Sequence, residues 1–452
     1  MTSDLDRLTQ LARGDTDLKF HSLMGMLVRR EGLHASFERL AGNKAPGVDG
    51  MRKDDYREGL PGRVEDLSER LRRLGYQPQP GKRVYIPKAD GGRRPLGIPA
   101  FEDRIVQDRL SQMLQAIWEP EFRSCSYGFR PGLSAHDALR RVAEIVTVER
   151  TQFVVEADIK GFFNHVSHKQ LLKFLGHRIT DSNLLRIIHR FLKSGVMEDG
   201  VVHASDEGTP QGGLVSPVLA NIYLHYVLDL WFEKRFAGQC RGKAYLVRYA
   251  DDFVACFQLK EDADRYMETL VERLASFNLE VEPSKTQLLR FGSDAESMCK
   301  KEGLAKPATF SFLGITHFVT RGRRGGFLVG RKTERKRVRR KLQDLNGKLR
   351  ALRSKGGKAM QEYARRHAEG HLQYFGMSGN FRGVKTYLFH VGRLLFKWLN
   401  RRSQRKSLNW DRFNAILKQG RLLPRARIVH NLYNFFPNRS DCERPGTGSR
   451  MV

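Results

Sequence analysis

Ala244-Tyr-Leu-Val-Arg-Tyr-Ala-Asp-Asp-Phe-Val-Ala-Cys-Phe257 is the stretch on which the fold turns. Two runs rich in β-branched and aromatic residues, Ala244 to Tyr249 and Phe253 to Phe257, flank Ala250-Asp-Asp252, which predicts a hairpin with two carboxylates at its turn. A bare Asp-Asp pair is usually an ordinary acidic turn, so its meaning depends on its neighbours. The nearest is Phe153-Val-Val-Glu-Ala-Asp-Ile159, too short and too β-branched for anything but a strand, with Asp158 at its end. Three carboxylates brought together repel and raise one another's pKa unless a cation neutralises them. Carboxylate oxygens suit Mg2+, which keeps other positions for water and phosphate. Two such ions, about 3.5 to 4 Å apart, clamp the attacking and leaving oxygens of an in-line phosphoryl transfer.

Outward from this hairpin, helices and strands are interspersed irregularly, so the expected class is α+β. Residues up to about Leu40 read as helical, and Asn43-Lys-Ala-Pro-Gly-Val-Asp-Gly50 is a loop of turn formers. A helix is predicted over Asp55 to Leu74. Arg83 to Pro99 holds two short β-rich runs around Asp90-Gly-Gly92, a hairpin pattern whose tip carries Lys88, Arg93 and Arg94. From Phe101, the residues Ile105, Val106, Leu110, Met113, Leu114 and Ile117 share one helical face, and that helix ends near Trp118-Glu-Pro120. After Ile159 come a helical stretch, the Gly/Pro-rich loop Glu207 to Pro217, and a helix from about Val218 to Arg235. Thr286 to Phe291 and Phe310 to Phe318 are the last strand-like runs.

The charge is uneven. The chain carries 80 Lys and Arg against 50 Asp and Glu, but residues 321–452 hold 34 of the cations and only 7 of the acids, a net of +27. A nearly neutral body joined to a strongly basic end points to a polyanionic partner, whereas a merely solvated surface would spread its charge. Arg321-Gly-Arg-Arg-Gly-Gly326 is the expected boundary. Beyond it Val338, Leu342, Leu345, Leu349 and Leu352 form an apolar stripe on a helix whose other faces are basic, which fits a small helical bundle. The five cysteines form no C-x-x-C pair, so neither a disulfide framework nor a zinc finger is expected. No apolar targeting segment and no run of about 18 apolar residues occurs, so no membrane partner is expected and a cytoplasmic, nucleoid-associated bacterial protein is.

Val247-Arg-Tyr-Ala-Asp-Asp-Phe253 resembles the Tyr-x-Asp-Asp box of reverse transcriptases, with Ala250 in the form common among enzymes of group II introns. Tyr85 to Pro99, Tyr127 to Gly132, Glu156 to Phe163, Gly208 to Gly213, Leu279 to Thr286 and Phe312-Leu-Gly314 are similar to successive blocks of that family, in order, over roughly residues 20 to 435. The resemblance implies an RNA-directed DNA polymerase with a right-hand arrangement. It places an N-terminal extension and fingers in 1–150, a palm with a small antiparallel sheet in 151–320, and a basic helical thumb or maturase domain in 325–411. Residues 412–452 would be a short basic tail, at most a rudimentary DNA-binding segment.

Site residues follow from the same resemblance. Asp158 would bind both metal ions, Asp251 complete their site, Asp252 lie nearby with a less direct role, and Ile159 offer its backbone carbonyl. The cofactor implied is two Mg2+, with Mn2+ as a substitute. Phe163 would pack under the sugar of the incoming nucleotide and exclude a 2′-hydroxyl; for Phe162 plain core packing stands open beside a role at the site. Lys88 and Arg94, joined by Arg93, would grip the triphosphate. Gln211 would contact nucleotide and template, Lys285 is the basic residue of the sixth block, and Phe312-Leu-Gly314 the primer grip. Arg339, Arg340, Arg401, Arg402, Arg405 and Lys406 are the candidates for RNA binding.

The partners implied are RNA template, intron RNA, DNA primer and product, and deoxynucleoside triphosphates, in a ribonucleoprotein with a monomer or a dimer of this chain. No paired cysteines and histidines mark an endonuclease module, and no ribonuclease H segment is evident. Two further readings stand beside an intron-encoded polymerase and maturase: a domesticated reverse transcriptase of defence or repair, and a splicing-only RNA-binding maturase.

Overall fold

The apolar stripe read from Phe101 folds as a single helix, Phe101–Trp118, with every one of its predicted inward residues fully buried. In the computed structural model, which describes residues 4–87, 92–204, 206–209, 212–322, 325–401, 408–419 and 422–435, this helix packs against Asp4–Gly14 and Arg30–Arg39. Its start is tied down by the turn-forming loop. Asp49 accepts from the Phe101 backbone N–H at 3.0 Å, and Arg104 donates to the carbonyls of Ala45 and Pro99 at 2.5 and 3.0 Å. The helix predicted over Asp55 to Leu74 is broken in two, Lys53–Arg57 and Leu60–Arg72, because Gly59 between them sits at φ +74°.

Eleven strands lie among the described residues: β1 Gly81–Pro87, β2 Arg93–Ile98, β3 Phe153–Asp158, β4 Val196–Glu198, β5 Val201–His203, β6 Ala244–Tyr249, β7 Asp252–Phe257, β8 Gln287–Arg290, β9 Phe310–Phe312, β10 Ile315–Arg321 and β11 Phe327–Thr333. The class is mixed helix and sheet, as expected. Strands β1 and β2 form the predicted antiparallel hairpin, in which Arg94 stands opposite Ile86 and Arg93 opposite Pro87. The tip, with Lys88, falls outside the described residues. A second hairpin, β4 and β5, extends this sheet through a parallel pairing of β1 with β4. It was not foreseen, although Asp199-Gly200, both at positive φ, is the two-residue turn that joins β-branched arms. A further sheet has the strand order β6, β7, β3, β8.

The described chain forms two units. The first comprises residues 1–134, 157–255 and 261–287, the second 135–156, 256–260 and 288–452. In the second, β9, β10 and β11 make an antiparallel sheet. The run Phe310 to Phe318, predicted as one strand, is split because Leu313 and Gly314 both take positive φ. Arg321 and Phe327 close the β10–β11 hairpin, so the segment read as a boundary lies inside a hairpin of this unit. Helices Arg335–Ala351, Gly357–Phe375 and Phe381–Asn400 pack together beside it, and Trp410–Lys418 comes next in the chain. Of the predicted leucine stripe, Leu345 and Leu349 are the fully buried members.

One carboxyl in the first unit is conspicuous. Asp103 is buried, accepts from the Tyr76 hydroxyl and from the Gln79 backbone N–H at 2.9 Å, and burial pushes its pKa up to about 7. Glu102 and Asp49 push the same way, against the hydrogen bonds. Unfolded, it titrates near 3.8. The folded protein therefore holds a proton that the unfolded chain releases, and this stability, full below 3.8, is lost as pH rises through about 7. Asp103→Asn keeps the acceptor without the charge. Chemical denaturation at about pH 5 and about pH 8 is expected to show the wild type losing stability between them and the variant losing less; equal losses would clear Asp103 of the effect.

Candidate active site

The Asp-Asp turn is tighter than the sequence suggests. Strand β6 ends at Tyr249 and β7 begins at Asp252, leaving Ala250 and Asp251 as the two turn residues. Ala250 lies at φ +58°, a left-handed conformation that costs an alanine about 1 to 2 kcal/mol. It persists because the turn is over-determined from below. Gly128, in the block Ser126-Tyr-Gly-Phe129, passes so close that a Cβ there would stand 2.4 Å from the Ala250 nitrogen. Tyr127 N–H donates to the Arg248 carbonyl at 2.8 Å, and Arg248 N–H to that of Cys125 at 2.7 Å.

Arg248 itself is fully buried, and all five of its guanidinium donors find acceptors. Two go to the Asp229 carboxylate at 2.7 and 2.6 Å, one to Ser126 Oγ at 2.7 Å, one to Asn221 Oδ1 at 3.1 Å and one to the Ala250 carbonyl at 3.0 Å. Asn221 in turn donates to the Gly128 carbonyl at 2.7 Å. The helix that starts at Ser216 reaches Asp229 through a π-helical segment, His225–Asp229, whose extra residue per turn re-aims the side chains it carries.

Asp158 ends β3 in the same unit. Its carbonyl accepts from Glu282 N–H at 2.8 Å while Lys160 N–H donates to Glu280 at 2.9 Å, so Ile159 faces Val281 without its own carbonyl joining that ladder. The Lys285 ammonium, on the turn Pro283–Lys285, donates to the Asp158 carboxylate. Burial holds the Asp251 carboxyl above the usual carboxylate range; the negative charge of Asp158 adds to this, while Arg94 and Lys285 act against it. Lys285 is held more strongly protonated than usual, first by its bond to Asp158 and further by Glu282 and Asp252. The predicted carboxylates, Arg94 and Lys285 thus share one electrostatic field.

Among the described residues no group of three or more His, Cys, Asp or Glu side chains is gathered to hold a metal ion. The donor set nonetheless fits magnesium, which commonly takes one or two carboxylates, with a backbone carbonyl, and leaves the rest to water and phosphate. A carboxyl whose proton affinity is raised by burial and by a neighbouring carboxylate marks a site short of positive charge.

Of the residues expected to bind the nucleotide, Arg94 and Lys285 are the ones whose charge reaches the Asp251 carboxyl. Phe162 is buried and Phe163 only partly so. The Phe163 carbonyl accepts from Thr209 N–H at 2.7 Å, which anchors the start of the Gly/Pro-rich loop beside it. Farther along that loop Gly212, at φ +112°, passes so near β2 that a Cβ would meet the Gly97 carbonyl at 2.6 Å. Leu214 N–H is held by Gln107 at 2.7 Å. Gln211 lies outside the described residues. In the second unit Leu313, between Phe312 and Gly314, accepts from the Tyr374 hydroxyl at 3.0 Å.

Of the basic residues expected to bind RNA, Arg339 and Arg401 are exposed, and Arg340 lies 3.9 Å from Asp344. Arg402, Arg405 and Lys406 fall outside the described residues. The aromatics interleaved with them pack chiefly on one another: Phe396 meets Trp410 and Phe413 at 4.9 and 5.3 Å, and Trp398 donates to Asn346 at 2.9 Å.

Sequence reasoning passed over Gly128, Arg248, Asp229, Asn221 and Ser126. A glycine between two aromatics was a signal for a close backbone approach; nothing local marked Asp229 as the partner of Arg248. Gly128→Ala is expected to push the Ala250-Asp251 turn out of place and to lower kcat for DNA synthesis by roughly 100-fold, as a shift of about 1 Å commonly does. Primer extension under saturating primer and nucleotide measures it. An unchanged kcat would show that the turn is not held by this contact.

The comparisons agree with this geometry. A model of the family described as reverse transcriptase (RNA-dependent DNA polymerase) matches residues 86–317. Protein YkfC of Escherichia coli (strain K12) is 35% identical over 280 residues, which is 55% of this chain and 73% of YkfC. Group II intron-encoded protein LtrA of Lactococcus lactis subsp. cremoris is 36% identical over 232 residues, 50% of this chain and 38% of LtrA. The putative COX1/OXI3 intron 2 protein of Saccharomyces cerevisiae is 31% identical over 177 residues, 39% of this chain and 20% of that protein. With the strained Asp-Asp turn, its buried support and these matches together, the chain belongs to the reverse transcriptase (RNA-dependent DNA polymerase) family, among relatives of the group II intron-encoded kind.

Proposed function

We propose that this chain adds deoxynucleotides to a primer along an RNA template, and that it also binds the RNA of a parent intron to assist its splicing and mobility. The observation that carries the polymerase reading is the shared field of Asp158, Asp251, Arg94 and Lys285 around a turn that the fold strains to present. Asp158, Asp251 and the carbonyl of Ile159 would hold two Mg2+, or Mn2+ in their place. Bound there, the ions would lower the pKa of the primer hydroxyl and neutralise the phosphates.

The chain's own residues do the rest in this reading. Arg94, with Lys88 and Arg93, grips the triphosphate; Gln211 steadies nucleotide and template; Lys285 offsets the charge of Asp158. Phe163 closes the floor beneath the sugar, where a 2′-hydroxyl would collide with the ring, which selects deoxynucleotides. The right-hand arrangement of fingers, palm and thumb is part of the same proposal. It takes residues 1–150 as N-terminal extension and fingers, 151–320 as palm, 325–411 as thumb or maturase domain and 412–452 as a short basic tail.

The intron reading draws on the names of the relatives and on the net charge of +27 in residues 321–452. Polyanion binding by Lys and Arg releases counterions, so it weakens steeply with salt. No helix among the described residues is long and apolar enough to cross a membrane.

Asp251→Asn is expected to abolish Mg2+-dependent primer extension on RNA while filter-retained RNA binding stays within about twofold, since a ligand carboxylate is lost and no phosphate contact. Synthesis at the wild-type rate would refute the assignment. Changing Arg401, Arg402 and Arg405 together to Gln is expected to weaken RNA binding and to reduce the slope of log affinity against log salt by about 2 to 3. An unaltered slope would move the RNA surface elsewhere.

A further inference from the structure

Helix Phe381–Asn400 carries four cations, Arg382, Lys385, Arg393 and Lys397, and no acid. Its inward face is ordinary core, with Val384, Tyr387, Val391 and Leu395 fully buried. Its outward face is not ordinary, because Phe381 and Phe389 are 46% and 54% exposed. A single exposed apolar residue needs no explanation. These two are eight residues apart with Lys385 midway, and Arg393 and Lys397 continue the same four-residue step. Rings and cations therefore share one gently winding row along the helix.

Two cavities flank this row. One, of about 440 Å³, is walled by Phe381, Lys385 and Phe389; the other, of about 970 Å³, by Phe389, Arg393 and Lys397. Phe389 and Trp410 line both, so the two cavities adjoin along the helix and are taken together as one groove. Arg339 also borders the larger part.

We infer that this groove seats an unpaired stretch of RNA, whose bases stack on Phe381 and Phe389 and whose phosphates meet Lys385 and Arg393. The charge row requires a polyanion. The exposed rings require one that offers flat apolar faces, and a duplex keeps its base faces inside the stack, showing side chains only edges, sugars and phosphates. Unpaired strands present those faces, and base–aromatic stacking is their usual anchor. The spacing agrees. Eight residues advance about 12 Å along a helix, whereas bases stacked in a strand repeat at about 3.4 Å. The two rings thus take bases splayed apart, and Lys385 lies level with the backbone between them. RNA rather than DNA rests on the intron reading proposed above. The groove's row of rings and cations lies within the span taken above as thumb or maturase domain but uses none of the proposed metal- or nucleotide-binding residues, so the two can be read separately.

The test uses the full chain and three labelled probes of about 15 nucleotides, within the range such grooves span: an unstructured RNA, a DNA of the same sequence and an RNA duplex. Phe381→Ala with Phe389→Ala is expected to weaken binding of the unstructured RNA by roughly 100-fold, tenfold per ring, and to leave the duplex RNA within about twofold. Phe389→Tyr, which keeps a stacking face, is expected to restore most of the loss from Phe389→Ala. Lys385→Gln with Arg393→Gln is expected to lower the salt slope for unstructured RNA by about 1 to 2. Equal losses for both RNAs, or none, would overturn the groove, and DNA binding as tight as RNA would overturn its assignment to RNA. So would an acidic peptide that binds only while both rings are intact and leaves the unstructured RNA bound. Primer extension by the double alanine variant reports on the polymerase reading alone: it is expected at the wild-type rate, and its loss would show that the groove is not separate from synthesis.

Discussion

Arg248 and Asp229 form an ion pair with no exposed surface, and the presentation of the Asp-Asp turn depends on it. Taking two charges out of water costs several kcal/mol each, which their attraction offsets only when every remaining donor and lone pair is satisfied. Here they are. The guanidinium's other donors reach Ser126, Asn221 and Ala250, elements far apart along the chain, so one side chain fixes the block around Gly128, the helix carrying Asp229 and the strained turn relative to one another. The Ala250 carbonyl is the contact that matters most for chemistry. An alanine in the left-handed region would relax if its carbonyl were released, and Asp251 is the next residue in the chain.

That dependence explains why the hairpin was legible and its support was not. Apolar alternation and β-branching mark Ala244 to Tyr249 and Phe253 to Phe257 as strands whatever surrounds them, and the structure has them within one residue of that reading. Phe101–Trp118 was equally plain because its stripe is continuous. Asp229, by contrast, looks like any helical acid; only a π-helical segment turns it inward, and the register of such a segment is set by the packing around it. Strands β4, β5 and β11 escaped for another reason. Three residues are too few for periodicity to register, and β11, Phe-Leu-Val-Gly-Arg-Lys-Thr, lies in a basic segment where a glycine and two cations interrupt the apolar alternation of a strand.

The candidate site was legible in part. Its acids, Arg94 and Lys285 were found through a family resemblance carried by short blocks, and each of those described lies where the electrostatics of the others reach it. Phe162 is buried and Phe163 half-buried, a difference the two adjacent phenylalanines did not announce in the sequence. Beyond it, the same stretch of composition that suggested RNA binding hid the distinction between aromatics that hold the second unit together, such as Phe396 and Phe413, and those that face outward, such as Phe389. Sequence alone cannot separate them, because both kinds recur at helical spacing and burial is decided by which helices pack together.

Charge bookkeeping within the site bears on the proposed chemistry. Three aspartates when ionised outnumber Arg94 and Lys285, and burial, with the charge of Asp158 added to it, already raises the proton affinity of Asp251. A nucleoside triphosphate brings several more negative charges to the same place. The four cations proposed for the site, Lys88, Arg93, Arg94 and Lys285, do not offset both, and Lys285 is already engaged by Asp158. A site of this composition therefore admits its proposed substrate only together with further positive charge, and divalent ions supply that charge in a volume that no additional lysine or arginine could share with the phosphates. On this reading the cations are required for binding as well as for chemistry, and the strain at Ala250 holds a carboxylate where repulsion would otherwise drive it away.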